Sequence, residues 1–189
     1  MDPLSETLAQ ITAALRAVGV RYAIGGSVAS SARGVWRSTL DIDLIADIHA
    51  KQVPALTDEL GTDWYVDADM IRDAIQSGRS FNLIQKRLAY KVDVFPATEE
   101  FHFAQLERAD TVLLTPERIP CAVVSPEDIL LAKLRWYRDG GGASERQWND
   151  IVNLIAANTA LDRQYLQLWA ARLSIASLLE KAHTAARMD

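Results

Sequence analysis

The amino-acid sequence predicts an α+β fold, in which a mixed β-sheet flanked by helices is followed by an all-helical C-terminal part. Strand and helix patterns alternate up to residue 124, whereas only helical patterns follow from Ser125 onward. The composition suits a folded globular chain, because hydrophobic residues make up 49% and charged residues 24% of the 189 positions. We therefore expect a sheet-containing core over residues 1–124 and a C-terminal helical region over 125–189 that packs on this core.

The first half begins with a helix over 4–18, where apolar residues recur at helical spacing. Asp2 or Ser5 could cap its start, and Gly19 is placed to end it. The segment 101–110 is ambiguous. The other elements predicted in this half are strands at 21–24, 40–45, 81–85, 91–95, 111–114 and 119–124 and helices at 27–33, 50–60 and 67–77.

The second half opens with a strong helix start. Ser125 is a preferred N-cap residue, Pro126 suits the first helical position, and Asp128 follows three residues after the cap. This helix is expected to run to Arg138 and to end at the glycines 140–142. Three further helices are predicted at 144–157, 162–173 and 174–187.

Charge and cysteine content exclude several classes of protein. A formal net charge of -5 argues against unspecific binding to nucleic acid through overall charge. The single cysteine, Cys121, excludes an internal disulfide and a cluster of thiolate metal ligands, and it suits a reducing cytoplasm. The segment MDPLSETLAQ lacks the basic and apolar parts of a signal peptide, and no apolar run is long enough to span a membrane. We expect a cytoplasmic protein without a membrane partner.

Two features that suit a metal–nucleotide complex lie close together in the chain. Gly25-Gly26-Ser27 ends a short apolar strand and opens a helix, where backbone N–H groups could cradle an anion. Asp41 and Asp43 then lie two positions apart on a predicted strand, so both side chains point to one face. Adjacent carboxylates repel each other, and a bound cation would offset that repulsion.

A third carboxylate completes the predicted metal site. Asp93 lies between Val92 and Val94 on another strand pattern, where an unpaired acid would be costly to bury. Three carboxylates on adjacent strands would suit Mg²⁺ or Mn²⁺. The simpler interpretation of Asp41 and Asp43 is a pair of solvated carboxylates, but the nearby Gly-Gly-Ser and the third acid favour the metal–nucleotide site.

This combination of residues resembles the DNA-polymerase-β-like nucleotidyltransferase superfamily. The resemblance lies in Gly25-Gly26-Ser27, in the segment RSTLDIDL at 37–44, and in a later strand aspartate. Within the superfamily, the segments SPEDILLAKLRWY and SERQWNDIVNL resemble helices of small bacterial AbiEii/MNT-type proteins, often grouped with type IV toxins. The resemblance covers about residues 22–157 and implies a nucleotidyltransferase fold.

The resemblance also implies a role for each matching residue. Gly25, Gly26 and Ser27 would hold the triphosphate, and Asp41, Asp43 and Asp93 would bind the metal ions, with Asp93 also accepting the proton of the attacking hydroxyl. The remaining residues implied are Arg37, Thr39 and Lys133 near the phosphates and Asp150 in support, through an ion pair with Lys133 or an arginine. Lys133 and Asp150 could equally be ordinary charges on helix surfaces, and Arg37 a surface arginine.

The function implied is a Mg²⁺-dependent transfer of a nucleoside monophosphate from an NTP, ATP among the candidates, to a hydroxyl acceptor with release of pyrophosphate. The acceptor could be a tRNA, a protein or a small molecule such as an antibiotic. A tRNA would need a basic patch, and two basic groups are candidates, at 79–91 and at 133–138. The alternative is a catalytically silent nucleotide-binding module of the same fold, or a toxin that acts with a cognate antitoxin.

Overall fold

A seven-stranded mixed sheet is the central element of the computed structural model, which describes residues 1–34 and 41–187. The strand order across the sheet is β3-β4-β5-β2-β1-β7-β6. The strands are β1 (Arg21–Ile24), β2 (Asp41–Asp47), β3 (Trp64–Tyr65), β4 (Phe81–Gln85), β5 (Tyr90–Pro96), β6 (Asp110–Leu114) and β7 (Ile119–Val123).

The sheet combines parallel and antiparallel pairs. β2 runs parallel to β5 and antiparallel to β1, and β1 runs parallel to β7. β3, β4 and β5 form an antiparallel series at one side, and β6 and β7 form an antiparallel pair at the other. Because β2 and β5 are parallel, the chain between them must cross over, and it does so through two helices and the β3–β4 pair.

Nine helices are present among the described residues, and their first turns show why they begin where they do. Asp2 accepts hydrogen bonds from the N–H groups of Leu4 and Ser5 and so caps the first helix, and Ser125 accepts one from Asp128. The helices are α1 (Pro3–Ala17), α2 (Gly26–Ala32), α3 (Val53–Leu60), α4 (Ala68–Ser77), α5 (Glu100–Arg108), α6 (Pro126–Asp139), α7 (Glu145–Ala157), α8 (Arg163–Arg172) and α9 (Ala176–Ala185).

The described residues divide into two compact units. The first contains residues 1–28 and 41–124, which hold α1, α3 to α5 and the whole sheet. Its core lies on one face of the sheet, where Ile42, Leu44, Val92 and Leu83 are fully buried. The second contains residues 29–34 and 125–187, with α6 packed against α7, α8 and α9. The packing of region 125–189 on region 1–124 stays a prediction.

The predicted α+β class with a mixed sheet and an all-helical C-terminal part is confirmed. The ambiguous segment 101–110 is the helix α5 followed by the first residue of β6. The two-residue strand β3 was not predicted, because so short a segment has no periodicity. The last helix begins after Ser174 rather than at it, since Ser174 has a φ of 58°, which a helix does not accept.

Candidate active site

The acidic face of β2 follows from the alternation of its residues. Ile42 and Leu44 point into the core and are fully buried, so Asp41 and Asp43 lie on the opposite face. The side chain of Asp41 is 53% exposed, and Asp43 is half-buried. The strand therefore holds both carboxylates on the side of the sheet away from its core.

β5 brings the third carboxylate to the same face. In the parallel register of β2 and β5, Asp43 lies opposite Asp93 and Asp41 lies opposite Lys91. Paired residues on neighbouring strands project to the same side, and their separation is about 5 Å. The three predicted carboxylates therefore share one face of two central strands, as expected from the sequence.

Gly25 and Gly26 join this face from the end of β1. The N–H of Gly25 donates to the carbonyl oxygen of Asp43 at 2.9 Å, which continues the β1–β2 ladder by one residue. Gly26 has a φ of 57° and begins α2 directly beside the Asp43 side chain. A Cβ at Gly26 would lie 2.6 Å from Cγ of Asp43 and closer still to its Oδ2. Only glycine fits there, because the Asp43 carboxylate fills the space of any side chain.

A lysine lies between two of the three carboxylates. The Lys91 ammonium donates to Oδ2 of Asp93 at 2.8 Å and lies 3.5 Å from Oδ1 of Asp41. The hydrogen bond to Asp93 raises the pKa of Lys91, and the negative charges of Asp93 and Asp41 raise it further. Lys91 is therefore a fixed positive charge of this site at neutral pH.

The chemistry of the donor set suits a hard divalent cation, because it consists of carboxylate oxygens on one rigid face. Among residues 1–34 and 41–187, however, no three His, Cys, Asp or Glu side chains are grouped closely enough to hold a metal ion as they stand. The Lys91 ammonium lies between Asp41 and Asp93, where such an ion would have to approach. The predicted role of Asp41, Asp43 and Asp93 as metal ligands stays a prediction.

The other residues predicted for nucleotide binding have different positions. Ser27 is the second residue of α2 and is half-buried, adjacent to Gly26. Arg37 and Thr39 lie outside the described residues. Their predicted contacts with phosphate stay predictions.

Lys133 and Asp150 belong to the second unit, where they contact each other. Lys133 lies on α6 and Asp150 on α7, and the ammonium is 3.4 Å from Oδ2 of Asp150. Both side chains are largely buried, with 20% and 18% exposed, so the pair is more than a surface contact. Their predicted roles toward a nucleotide stay predictions.

The two predicted basic groups are extensively ion-paired. Arg87 in the β4–β5 turn pairs with Glu6, and Lys91 pairs with the acids of the site. On α6, Arg138 pairs with Asp139 at 2.6 Å, and Lys133 pairs with Asp150 on α7. Pairing with carboxylates reduces the positive potential that a polyanion such as tRNA would need.

Two residues of this face were not assigned to the site from the sequence. Lys91 was counted only as part of a basic group, although its position two residues before Asp93 places both on one strand face. Asn82 is exposed on β4 and lies opposite Asp93. The antiparallel register of β4 and β5 makes the two residues neighbours. The two-residue spacing of Lys91 and Asp93 could have assigned Lys91 to the site from the sequence. Asn82 could be assigned only from the register of β4 and β5.

The architecture is similar to that of several known structures. The solution structure of the antibiotic-resistance factor ANT(2'')-Ia matches with a TM-score of 0.56 and 20% identity, over 97% of this chain and 99% of that chain. The crystal structure of ANT(2'')-Ia in complex with adenylyl-2''-tobramycin matches with a TM-score of 0.54 and 18% identity, over 90% and 97%. The chain has the nucleotidyltransferase fold.

A third neighbour supports the same fold. The crystal structure of an antigenic nucleotidyltransferase-like protein from Paracoccidioides brasiliensis matches this nucleotidyltransferase fold with a TM-score of 0.56 and 22% identity. The match covers 96% of this chain and 92% of that chain. No model of a known protein family and no curated protein matches the sequence. The AbiEii/MNT-type assignment within the superfamily stays a prediction.

None of the helices in 1–34 and 41–187 combines the length and the apolar character needed to cross a bilayer.

Proposed function

We propose that this chain is a metal-dependent nucleotidyltransferase that moves a nucleoside monophosphate from an NTP to a hydroxyl acceptor and releases pyrophosphate. The observation that carries the proposal is the register of β2 and β5, which places Asp43 opposite Asp93 with Asp41 on the same face. The Gly25–Gly26 turn lies against Asp43, in a fold shared with nucleotidyltransferases. This arrangement puts an acidic face beside a backbone turn that could hold phosphate.

The position of each residue supports the role that we propose for it. Gly26 lets the backbone approach Asp43 without a side chain between them, and Ser27 at the start of α2 would hold phosphate oxygens through its hydroxyl and N–H. Asp93 would accept the proton of the acceptor hydroxyl. The acceptor oxygen then forms a bond to the α-phosphorus, the bond from the α-phosphorus to the bridging oxygen breaks, and pyrophosphate leaves with its electron pair.

Asp41, Asp43 and Asp93 are the residues that would hold Mg²⁺ or Mn²⁺. Divalent cations bound there would supply charge neutralisation at the triphosphate and make the acceptor hydroxyl more acidic. The remaining contribution of the protein is positioning, because phosphoryl transfer needs an in-line arrangement more than it needs covalent chemistry.

For the acceptor, we favour a small molecule with several hydroxyl and amino groups over a tRNA. The net charge of -5 favours a cationic acceptor, and the basic groups that a tRNA would need are extensively ion-paired. The crystal structure of the neighbour ANT(2'')-Ia contains adenylyl-2''-tobramycin. A protein acceptor and a cognate antitoxin stay alternatives.

A second candidate is a nucleotide-binding module of the same fold without catalysis. The observation that favours it is the Lys91 ammonium between Asp41 and Asp93, a cation already present where a metal would be needed. Such a module would bind an NTP but would release no pyrophosphate.

Radiolabelled transfer separates the two candidates. Each of the four α-labelled NTPs is incubated with Mg²⁺ and with an aminoglycoside panel, total tRNA or whole-cell protein as acceptor. We expect label on an aminoglycoside-like acceptor together with pyrophosphate release. Asp93→Asn should lower the rate about 10²- to 10⁴-fold, because it removes the proposed general base and a metal ligand.

Asp47→Asn is the matched control. Asp47 lies on the same face of β2, but its carboxylate pairs with Arg21 at 3.3 Å instead of joining the site. This variant should keep the transfer rate. If an NTP binds but no acceptor is labelled and no pyrophosphate is released, the silent module replaces the enzyme.

A further inference from the structure

The Lys91 ammonium contacts carboxylates from two strands. It donates to Asp93 on its own strand, two residues away, and lies 3.5 Å from Asp41 on the neighbouring strand. The register explains this double contact, because Asp41 is the direct cross-strand neighbour of Lys91. The register of β2 and β5 therefore places the lysine side chain within reach of both carboxylates.

The electrostatics explain why a cation belongs here. Asp41, Asp43 and Asp93 are three like charges on one face, and each repels the others when no cation is present. A lysine side chain carries one positive charge on a flexible stem, so it can neutralise part of this charge and can also swing away. A divalent ion carries twice the charge and needs the same carboxylate oxygens.

We propose that Lys91 is an internal counter-cation of the carboxylate site, which holds Asp41 and Asp93 in the metal-free protein and is displaced when a divalent cation binds. This inference rests on the proposed function, because it takes these carboxylates to be the metal ligands. It assigns Lys91 the role of a positioning residue that sets how tightly metal binds. Lys91 stabilises the metal-free site and competes with the metal for the same oxygens.

Metal binding without nucleotide tests the proposal directly. Mn²⁺ binding at low salt is measured by electron paramagnetic resonance for the wild type, Lys91→Gln and Lys91→Met. Both variants should bind Mn²⁺ about three- to tenfold more tightly, because a charge-assisted hydrogen bond at a partly exposed position no longer competes. Lys91→Arg should bind Mn²⁺ like the wild type, since it keeps a competing cation.

Lys86→Gln is the control for overall charge. Lys86 lies in the exposed β4–β5 turn, at a distance from the carboxylates. The substitution removes the same single positive charge as Lys91→Gln. Its Mn²⁺ affinity should stay within about twofold of the wild type, because exposed charges are largely screened. A gain as large as that of Lys91→Gln would overturn the proposal.

Thermal unfolding gives a second readout. In EDTA, Lys91→Gln should unfold at a lower temperature than the wild type. Saturating Mn²⁺ should remove this difference in melting temperature. If the variant does not fold in EDTA, the proposal requires that Mn²⁺ restores its folding, and failure of Mn²⁺ to do so counts against it.

Asp43→Asn separates a failure of the proposed metal site from a failure of the proposed role of Lys91. If the wild type binds Mn²⁺ and Asp43→Asn does not, the proposed metal site stands, and an unchanged or weaker affinity of Lys91→Gln overturns the role of Lys91 alone. If the wild type binds no Mn²⁺ with or without an NTP, both the proposed function and this inference fail.

Discussion

Gly25 and Gly26 are neighbours in the chain with different surroundings. No atom lies within 4 Å of a Cβ placed on Gly25, whereas a Cβ on Gly26 would collide with the Asp43 carboxylate. Gly26 also has a positive φ, which favours glycine. The sequence predicted both glycines as one motif, but the contact with Asp43 makes only the second sterically indispensable.

We expect Gly26→Ala to lower the free energy of unfolding by roughly 2–4 kcal/mol, from the strained φ and the crowding of Asp43. For a chain of this size that corresponds to a melting temperature lower by about 5–10 °C. Gly25→Ala is the matched control and should melt within about 2 °C of the wild type. Equal melting temperatures for the two variants would show that Asp43 moves aside without cost.

Cys121 on β7 gives a prediction about pH. Burial raises the pKa of its thiol from the usual 9.0 to about 11, and the nearby Arg16 opposes this only in part. As pH rises from 9 towards 11, the unfolded chain loses the thiol proton while the folded protein keeps it. The contribution of the thiol to the free energy of unfolding is therefore fully present below pH 9. Above pH 9 the free energy of unfolding falls by up to about 2–3 kcal/mol.

Denaturant unfolding of the wild type and Cys121→Ala at pH 7, 9 and 10 measures this effect. The alanine variant is expected to be less stable at pH 7, because a small cavity replaces the thiol. Its stability should fall less steeply than that of the wild type between pH 9 and 10. Parallel pH profiles would mean that the thiol does not contribute.

At the scale of elements, side-chain caps mark the starts of several helices. Asp67, Ser125, Ser144 and Asp162 each accept a hydrogen bond from the first turn of the helix that follows. Segment 101–110 was not resolved by its pattern, because its helix and the strand after it meet without a glycine or proline between them. The sequence thus predicted element boundaries well where a capping residue, a glycine or a proline was present.

The starts of α6 and α8 are linked by partly buried hydrogen bonds. The Tyr165 hydroxyl donates to Oδ1 of Asp128 at 2.6 Å, and the Asp162 N–H donates to Glu127 at 2.9 Å. Asp128 is fully buried and also accepts a hydrogen bond from the Ser125 hydroxyl at 2.7 Å. A buried carboxylate depends on such donors, because each unsatisfied oxygen would be costly.

We therefore expect Tyr165→Phe to lower the free energy of unfolding by about 1.5–3 kcal/mol, the usual contribution of a hydrogen bond to a charged group. Tyr65→Phe is the control, since Tyr65 is 53% exposed on the short strand β3 and its hydroxyl remains accessible to water. Urea unfolding of both variants measures the difference. A loss in Tyr65→Phe as large as in Tyr165→Phe would contradict this account.

At the scale of the whole molecule, the sequence predicted the class of fold but not the order of the strands. Asp43 and Asp93 lie on strands that are separated by two helices and a strand pair in the chain, and only the parallel pairing of β2 and β5 makes them neighbours. Long-range pairing of this kind leaves no mark in local periodicity. The resemblance suggested that the acids belong together, and the register shows how the backbone brings them together.

If the carboxylates bind a metal–nucleotide complex, the complex should stabilise the whole fold by mass action. At a concentration about 100-fold above its dissociation constant, Mg²⁺ with an NTP should raise the melting temperature by about 5–10 °C. Differential scanning fluorimetry measures the shift, and EDTA or Asp43→Asn should remove it. A shift that persists in Asp43→Asn would place the binding site elsewhere.

The position of β2 determines where motion can occur. β2 lies in the middle of the sheet, with β5, β4 and β3 on one side and β1, β7 and β6 on the other. Amide hydrogens at the centre of a sheet exchange with solvent last, because edge strands fray before central ones open. The carboxylates are therefore carried by the backbone that exchanges most slowly. Ligand binding at this face is therefore expected to move side chains, as proposed for Lys91, before it moves the backbone of β2.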